Sequence, residues 1–325
     1  MLSEPLGRRR AQTYNDMDFW SNAGESVYRP SVTVRELLGQ PNFRYLASHL
    51  VEAFDESGSG VCVRARCLAT QTMVRFEARR LVLAAGALGT ARIALRSFAL
   101  YDQPLPLTCN PHTYVPSVLV GGVGTAQEDR RHSLAQLTMI FDPTGDKRHL
   151  VQSQVFSYRS LMLLRLLRES PLAYRETLRI MRTLAPYMAV WLIQHEDEQT
   201  SAKACSLRRR PDGSEYLEIA YNLSKSEQDA RVAREKAMRR AIRRLGCFPL
   251  KTVHAMAGSS AHYASQLSMT AEDRPMTTDP TGRLRGTQFS YIADGASFAY
   301  LPAKGLTLTL MANANRVGGN VVARL

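Results

Sequence analysis

Five apolar residues in a row, Leu81, Val82, Leu83, Ala84 and Ala85, run into Gly86 and then into a stretch of helical spacing, 87–97. An apolar run without alternation reads as a strand buried on both faces, because neither face is patterned for water. Gly86 breaks it. Within 87–97 the apolar positions include Leu88, Ala91, Ile93, Ala94 and Leu95, and Arg92 and Arg96 stand four apart. A buried strand, a glycine and a helix make half of a βα unit of the nucleotide-binding kind.

Upstream, His49 to Asp55, the alternating Val61, Val63, Ala65 and Cys67, and Met73 to Ala78 form three short runs. Glu-Ser-Gly-Ser-Gly at 56–60 separates the first two, which predicts a three-strand antiparallel meander. Downstream there are six strand-like runs, 113–120, 134–141, 149–157, 188–195, 203–209 and 215–221. Pro143-Thr144-Gly145 and Pro211-Asp212-Gly213 supply turn residues. Two helices are predicted at 158–169 and 172–185, bounded by Pro171 and Pro186. Ser224 and Glu227 form a capping box, after which Ala230, Ala233, Ala237, Ala241 and Leu245 follow helical spacing up to Gly246. The last segment holds a His-containing loop, a strand from Phe289 to Ala293, Asp294-Gly295 and a helix starting near Leu306.

The chain has 325 residues, of which 45% are hydrophobic, enough to bury a core and to exclude disorder as its main state. Its longest apolar run of note, Met188 to Ile193, is far short of the roughly 18 residues a membrane-spanning helix needs. The N-terminus, MLSEPLGRRR, has no apolar core before a cleavage site, so a cytoplasmic protein is expected. Five cysteines without a C-x-x-C pair suit buried reduced thiols, and no metal site is expected. A formal net charge of +13 calls for an acidic partner or a basic binding face. P-loop, G-x-S-x-G and H-E-x-x-H motifs are absent.

Two separated stretches together resemble the glucose-methanol-choline (GMC) flavoprotein oxidoreductases. One is Arg80-Leu-Val-Leu-Ala-Ala-Gly-Ala-Leu-Gly-Thr-Ala-Arg92. The other runs from His262 through Met269, Ala293-Asp294-Gly295-Ala296-Ser297-Phe298 and Leu301-Pro302-Ala303-Lys304-Gly305-Leu306-Thr307 to Arg316. The resemblance implies an α/β (α+β) fold: an incomplete FAD-binding domain of discontinuous segments, plus a substrate domain with an antiparallel, roughly six-stranded sheet covered by helices. The expected division is an arm over 1–27, the partial FAD-binding domain over 28–110, the substrate domain over 111–250, and a return to the FAD-binding domain over 251–325. That family opens with a strand and G-x-G-x-x-G, whose glycines let backbone approach the FAD pyrophosphate. These 325 residues contain no such motif, so the likeness is to the C-terminal part of a larger flavoprotein. A separate FAD-binding subunit is then an expected partner.

The resemblance implies oxidation of the CH–OH group of a small-molecule alcohol, with FAD as cofactor. His262 falls where the family places the histidine that takes the hydroxyl proton; read alone, it is more often a structural histidine. The family's second catalytic position aligns with Gly305, which has no side chain. Lys304 or Asn313 replaces it, or the site works with one histidine, or the activity is lost. Val51, the turn Ala85-Gly86-Ala87, Asp294-Gly295 and Leu306-Thr307 are the cofactor-binding positions the likeness carries over.

Arg231, Arg234, Lys236, Arg239, Arg240, Arg243 and Arg244 fall on one helix, and their plain reading is a solvated face. No stacking aromatics or recognisable module accompany them, so a nucleic-acid partner is not expected. Arginines interleaved with leucines over 158–184 suit either a helical cover on the substrate sheet or a peripheral membrane contact. The alternative function is a non-catalytic, truncated GMC-fold protein acting as a basic partner- or membrane-binding adaptor.

Overall fold

The computed structural model describes residues 28–122, 135, 137–142, 145–157, 168, 170–184 and 187–325. The arm over 1–27 and nearly all of the helix expected over 158–169 lie outside them. The described chain opens with α1 (Pro30–Leu37), whose proline stands in the first turn, where a missing N–H costs nothing. Then come β1 (His49–Ser57), β2 (Gly60–Cys67) and β3 (Met73–Ala78), the antiparallel meander in the order β1-β2-β3. Next are β4 (Leu81–Leu83), α2 (Ala87–Ser97), β5 (Leu105–Pro106), β6 (Thr108–Cys109), β7 (His112–Leu119), β8 (Leu137–Phe141), β9 (Val151–Ser157), α3 (Tyr174–Leu184) and β10 (Met188–Gln194). The chain continues through β11 (Lys203–Arg209), β12 (Glu215–Tyr221), α4 (Lys225–Arg244), β13 (Cys247–Pro249), β14 (Val253–His254), β15 (Tyr263–Ala264), β16 (Ser290–Ile292) and α5 (Thr307–Val322).

The six-stranded antiparallel sheet has the order β13-β7-β10-β9-β8, with β14 also on β7. Its size is as expected, but its membership differs. The β11–β12 hairpin leaves to pair with β5, and β13 and β14 take the places at the edge. The reason is visible in β11. Cys205 and Leu207 pack into the core shared by the meander and α2, so that hairpin belongs to the other body of apolar residues.

Helix α4 covers one face of this sheet, with Met238 and Ile242 fully buried against Val115, Val151, Trp191 and Ile193. Each such burial contributes roughly 2 kcal/mol. The capping box of Ser224 and Glu227 is present. The alanine stripe is not the buried face, however; the buried residues are Glu235, Met238 and Ile242, because the longer side chains reach the sheet and the alanines do not. The solvated-face reading of the seven cations also fails in part. Arg231 pairs with Glu235 and Arg234 with Glu196, their side chains only 13% and 16% exposed.

Strand β4 is shorter than the apolar run suggested, and it is not buried on both faces. It pairs only with β16, in parallel, and Val82 is 42% exposed. With one strand neighbour and no layer over Val82 among the described residues, the run meets solvent on one side.

Candidate active site

Because β4 and β16 are parallel, with Leu81 opposite Ser290 and Leu83 opposite Ile292, their carboxyl ends share one edge. Open α/β sheets bind ligands at that edge. The chain leaving β4 turns through 84–86, and the chain leaving β16 enters 294–297. Asp294 ties the two turns together. Its Oδ2 accepts from Thr90 Oγ1 at 2.5 Å, its Oδ1 accepts from Ala296 N at 3.0 Å, and Ala85 N donates to Thr90 Oγ1 at 3.1 Å. Burial pushes the Asp294 carboxyl up, against the opposing pull of Thr90 and the Ala296 and Gly86 amides.

Glycine is required at 86 and 295 for different reasons. Gly86 has φ +78°, a conformation that strains any other residue, and a Cβ there would meet nothing within 4 Å. At Gly295 a Cβ would lie 2.8 Å from the Tyr263 carbonyl oxygen, so only glycine lets these backbones approach. That approach carries the histidine loop. Ser265 N donates to Gly295 O at 3.4 Å, Leu267 N to Ala296 O at 2.8 Å and Met269 N to Ser297 O at 2.8 Å. The loop's other side is held by β15 pairing with β6.

His262 stands just before β15. Its Nδ1 lies 3.0 Å from Asn110 Oδ1. Asn110 is 1% exposed, and its Nδ2 donates to the His195 carbonyl at 2.7 Å and the Pro302 carbonyl at 3.1 Å. Two carbonyls therefore claim the amide nitrogen and turn the amide oxygen toward the imidazole. An oxygen there needs an N–H, so Nδ1 carries the proton and Nε2 keeps the lone pair. Burial lowers the His262 pKa, which keeps the ring neutral at pH 7. A neutral ring with a bare Nε2 is a proton acceptor.

Asn110 thus acts as a positioning residue. In Asn110→Ala the two His262 tautomers should mix, seen as a loss of the Nδ1–H pattern in long-range ¹H–¹⁵N spectra. Any rate that depends on His262 should fall about 10- to 100-fold, as when a group orienting a functional ligand is removed. An unchanged tautomer would contradict this role.

The His262 ring meets His112 edge to face, with centroids 6.1 Å apart and planes at 88°. Burial, then the neighbouring His262, His195 and Arg231, push His112 down to about 4. On the opposite face of β7, Thr113 Oγ1 and Arg231 Nε donate to Glu235 Oε1, and His254 Nε2 lies 2.9 Å from Glu235 Oε2. Burial alone would raise the Glu235 pKa, but hydrogen bonds from His195, Thr113 and His254 hold it at about 2. Both shifts act on stability in the same direction. Between pH 6.5 and 4 the unfolded chain protonates at His112 more readily than the folded one, so stability falls as pH falls. The Glu235 contribution, fully present above pH 4.5, is lost as pH drops toward 2. The urea midpoint is expected to decline from pH 7 to 4, with His112 accounting for roughly 2–3 kcal/mol. His112→Phe should flatten that limb, whereas a pH-independent midpoint would refute it.

Ala85, Gly86, Ala87, Asp294 and Gly295 come together at the shared edge, and His262 reaches it through 263–267. Leu306 is buried against Ala264 and Leu301, and Thr307 opens α5 exposed. Val51 lies half-buried in β1 opposite Ala65, packed on the core that also holds Ala87. Lys304 is exposed, and the Asn313 amide engages Ser297 Oγ at 3.4 Å and Arg316 at 2.9 Å rather than His262. A side chain at Gly305 would meet nothing within 4 Å. Asn110 and His112 escape a reading of the sequence, because 152 residues separate Asn110 from its partner. The only hint is polar residues breaking an apolar strand at its start.

The fold is similar to that of two solved structures. Pyridoxine 4-oxidase from Mesorbium loti superposes with a TM-score of 0.58 at 13% identity, covering 88% of this chain and 59% of that one. An FAD-dependent oxidoreductase from Chaetomium thermophilum superposes with a TM-score of 0.54 at 14% identity, covering 93% of this chain and 64% of that one. The chain therefore has the fold of FAD-dependent oxidoreductases and spans about three fifths of their length. No protein-family model and no curated protein matches the sequence. No helix among the described residues is long and apolar enough to cross a membrane.

Proposed function

We propose that the chain is part of a GMC-type flavoprotein oxidoreductase that oxidises a CH–OH group, with His262 as the base. The observation that carries this reading is the Asn110–His262 pair, a neutral imidazole with no partner on Nε2 among the described residues, next in the chain to Tyr263, whose backbone lies against Gly295 just past the end of β16. The residues at that edge fit FAD. The turn at 84–86 is exposed, and neither α2 nor α5 has a side-chain cap on its N-terminus, which leaves their first amides for an electron-rich ligand. Ala85, Gly86, Ala87, Asp294, Gly295, Leu306 and Thr307 would hold it. FAD, when bound, accepts the hydride from the carbinol carbon. His262 Nε2 takes the hydroxyl proton, Asn110 keeps that nitrogen bare, and the buried setting keeps the ring neutral beforehand.

A segment bearing G-x-G-x-x-G, from another polypeptide or another part of a longer chain, would complete the cofactor site. Two exposed features support this. The β4–β16 pair is a two-stranded parallel sheet with Val82 open to solvent, although parallel strands are normally covered on both faces. Nearby in the fold, α5 exposes Leu308 and Met311, 79% and 44%. Pyridoxine, named by one structural neighbour, is a natural first trial substrate. Anaerobic addition of a substrate alcohol to the flavin-containing assembly should bleach its visible bands. The adaptor reading draws on the bare Gly305 and gains if a flavin-loaded assembly is reduced by no alcohol.

A further inference from the structure

The six-stranded sheet has a second face, turned away from α4, and its composition changes along the strands. At the His262 end, His112, Gln194 and Gln152 form one cross-strand row, fixed by the pairings Gln194 with His112 and Gln194 with Gln152. The next row holds Tyr114, Leu192 and Gln154. Toward the far end the face turns apolar, with Met188 and Val190 packed on Met181 and Leu184 of α3. The polar end is the one against His262.

Two features of that row point to a ligand. His112 and Gln194 are 8% and 5% exposed, and His112 Nε2 and Gln194 Oε1 have no hydrogen-bond partner among the described residues. Buried polar atoms rarely stay unpaired, and two adjacent ones beside a proton acceptor call for a common partner. The second feature is the lack of charge. None of the positions of β7, β8, β9 and β10 on this face is Lys, Arg, Asp or Glu, in a chain where 22% of residues are charged. Arg231 and Glu235 approach β7 from its opposite face, at Thr113 and, for Arg231, also at the His112 backbone carbonyl. Burial also keeps His112 uncharged at neutral pH.

We infer that this face receives an uncharged polar alcohol, read by neutral hydrogen bonds at Gln194 and His112, and that it rejects anionic alcohols and favours apolar ones less. The inference rests on the oxidoreductase reading for the word alcohol, and on the row itself for the polarity. Gln194 Oε1 can only accept, so the ligand must present an O–H or N–H beyond its reacting hydroxyl. An anion would lose its hydration with no cation among the described strand positions of this face to replace it.

Three matched probes test this: 3-hydroxybenzyl alcohol, benzyl alcohol and 3-(hydroxymethyl)benzoate. Their dissociation constants are measured by ligand-observed NMR on the purified protein with any co-purifying chain retained. The phenol should bind about tenfold more tightly than benzyl alcohol, one net hydrogen bond's worth, and the carboxylate should bind weakest. Gln194→Leu should bring the two neutral probes within about twofold, and His112→Phe should act in the same direction. Equal or tighter binding of benzyl alcohol or the carboxylate, discrimination retained in both variants, or no binding of any probe would overturn the inference. The two readings fail separately. A phenol preference without flavin reduction keeps the polar site and removes the oxidoreductase, whereas flavin reduction by the carboxylate does the reverse.

Discussion

Replacing His262 by alanine is expected to slow flavin reduction by substrate about 10²- to 10⁴-fold, the range a positioned general base contributes, while flavin stays bound. The expectation follows from the hydrogen bonds around Asn110. With its Nδ2 claimed by the His195 and Pro302 carbonyls, only Oδ1 remains for the imidazole, and the lone pair is left on Nε2. The adjacent His112 is not a substitute, since burial, then the neighbouring His262, His195 and Arg231, push it down to about 4 and leave it too weak a base. Retention is expected because the carboxyl edge is built by Thr90, Asp294 and Gly295, none of which hydrogen-bonds the His262 side chain. Stopped-flow reduction under anaerobic conditions measures the rate, and equal rates in variant and parent would remove His262 from the chemistry.

The second large effect concerns stability. Lys203 is fully buried, with its ammonium on Asp197 and Glu227 and over the Tyr221 ring at 5.5 Å. Lys203→Ala would strand the Asp197 carboxylate, whose side chain is 2% exposed, and should cost about 3–5 kcal/mol. Asp197 also accepts from Cys109 N at 2.8 Å and Tyr221 Oη at 2.9 Å. This ion pair therefore holds the backbone next to Asn110, and the variant should loosen His262 as well as lower the urea midpoint. Lys203→Met combined with Asp197→Leu should recover much of the loss, because no fully buried charge is then left unpaired; Glu227, 29% exposed, keeps its bond from Ser224 N. A single variant as stable as the parent would contradict the account.

Local pattern made much of this fold readable. Helix α2 spans Ala87–Ser97, as its spacing predicted, because an amphipathic period and a preceding glycine are properties of adjacent residues. The meander and the start of α4 at Ser224 were legible for the same reason. What escaped was non-local. The β11–β12 hairpin has the same alternation as the strands of the six-stranded sheet, and only packing of Cys205 and Leu207 decides which body it joins. In α4 the apolar stripe misled because Glu235, Arg231 and Arg234 are paired inward, which no period of hydrophobicity reveals. His262, Asp294 and Gly295 could be singled out from motif order; Asn110, His112 and Gln194 become neighbours only through strand pairing.

The central claim is a flavin site completed around β4 and β16 with His262 at its edge. A visible absorption spectrum of the protein purified from its own host, with any co-purifying polypeptide retained, tests it most directly. Flavin bands that bleach anaerobically with an uncharged polar alcohol are the predicted result. A folded protein that stays colourless with every co-purifying chain present would contradict it.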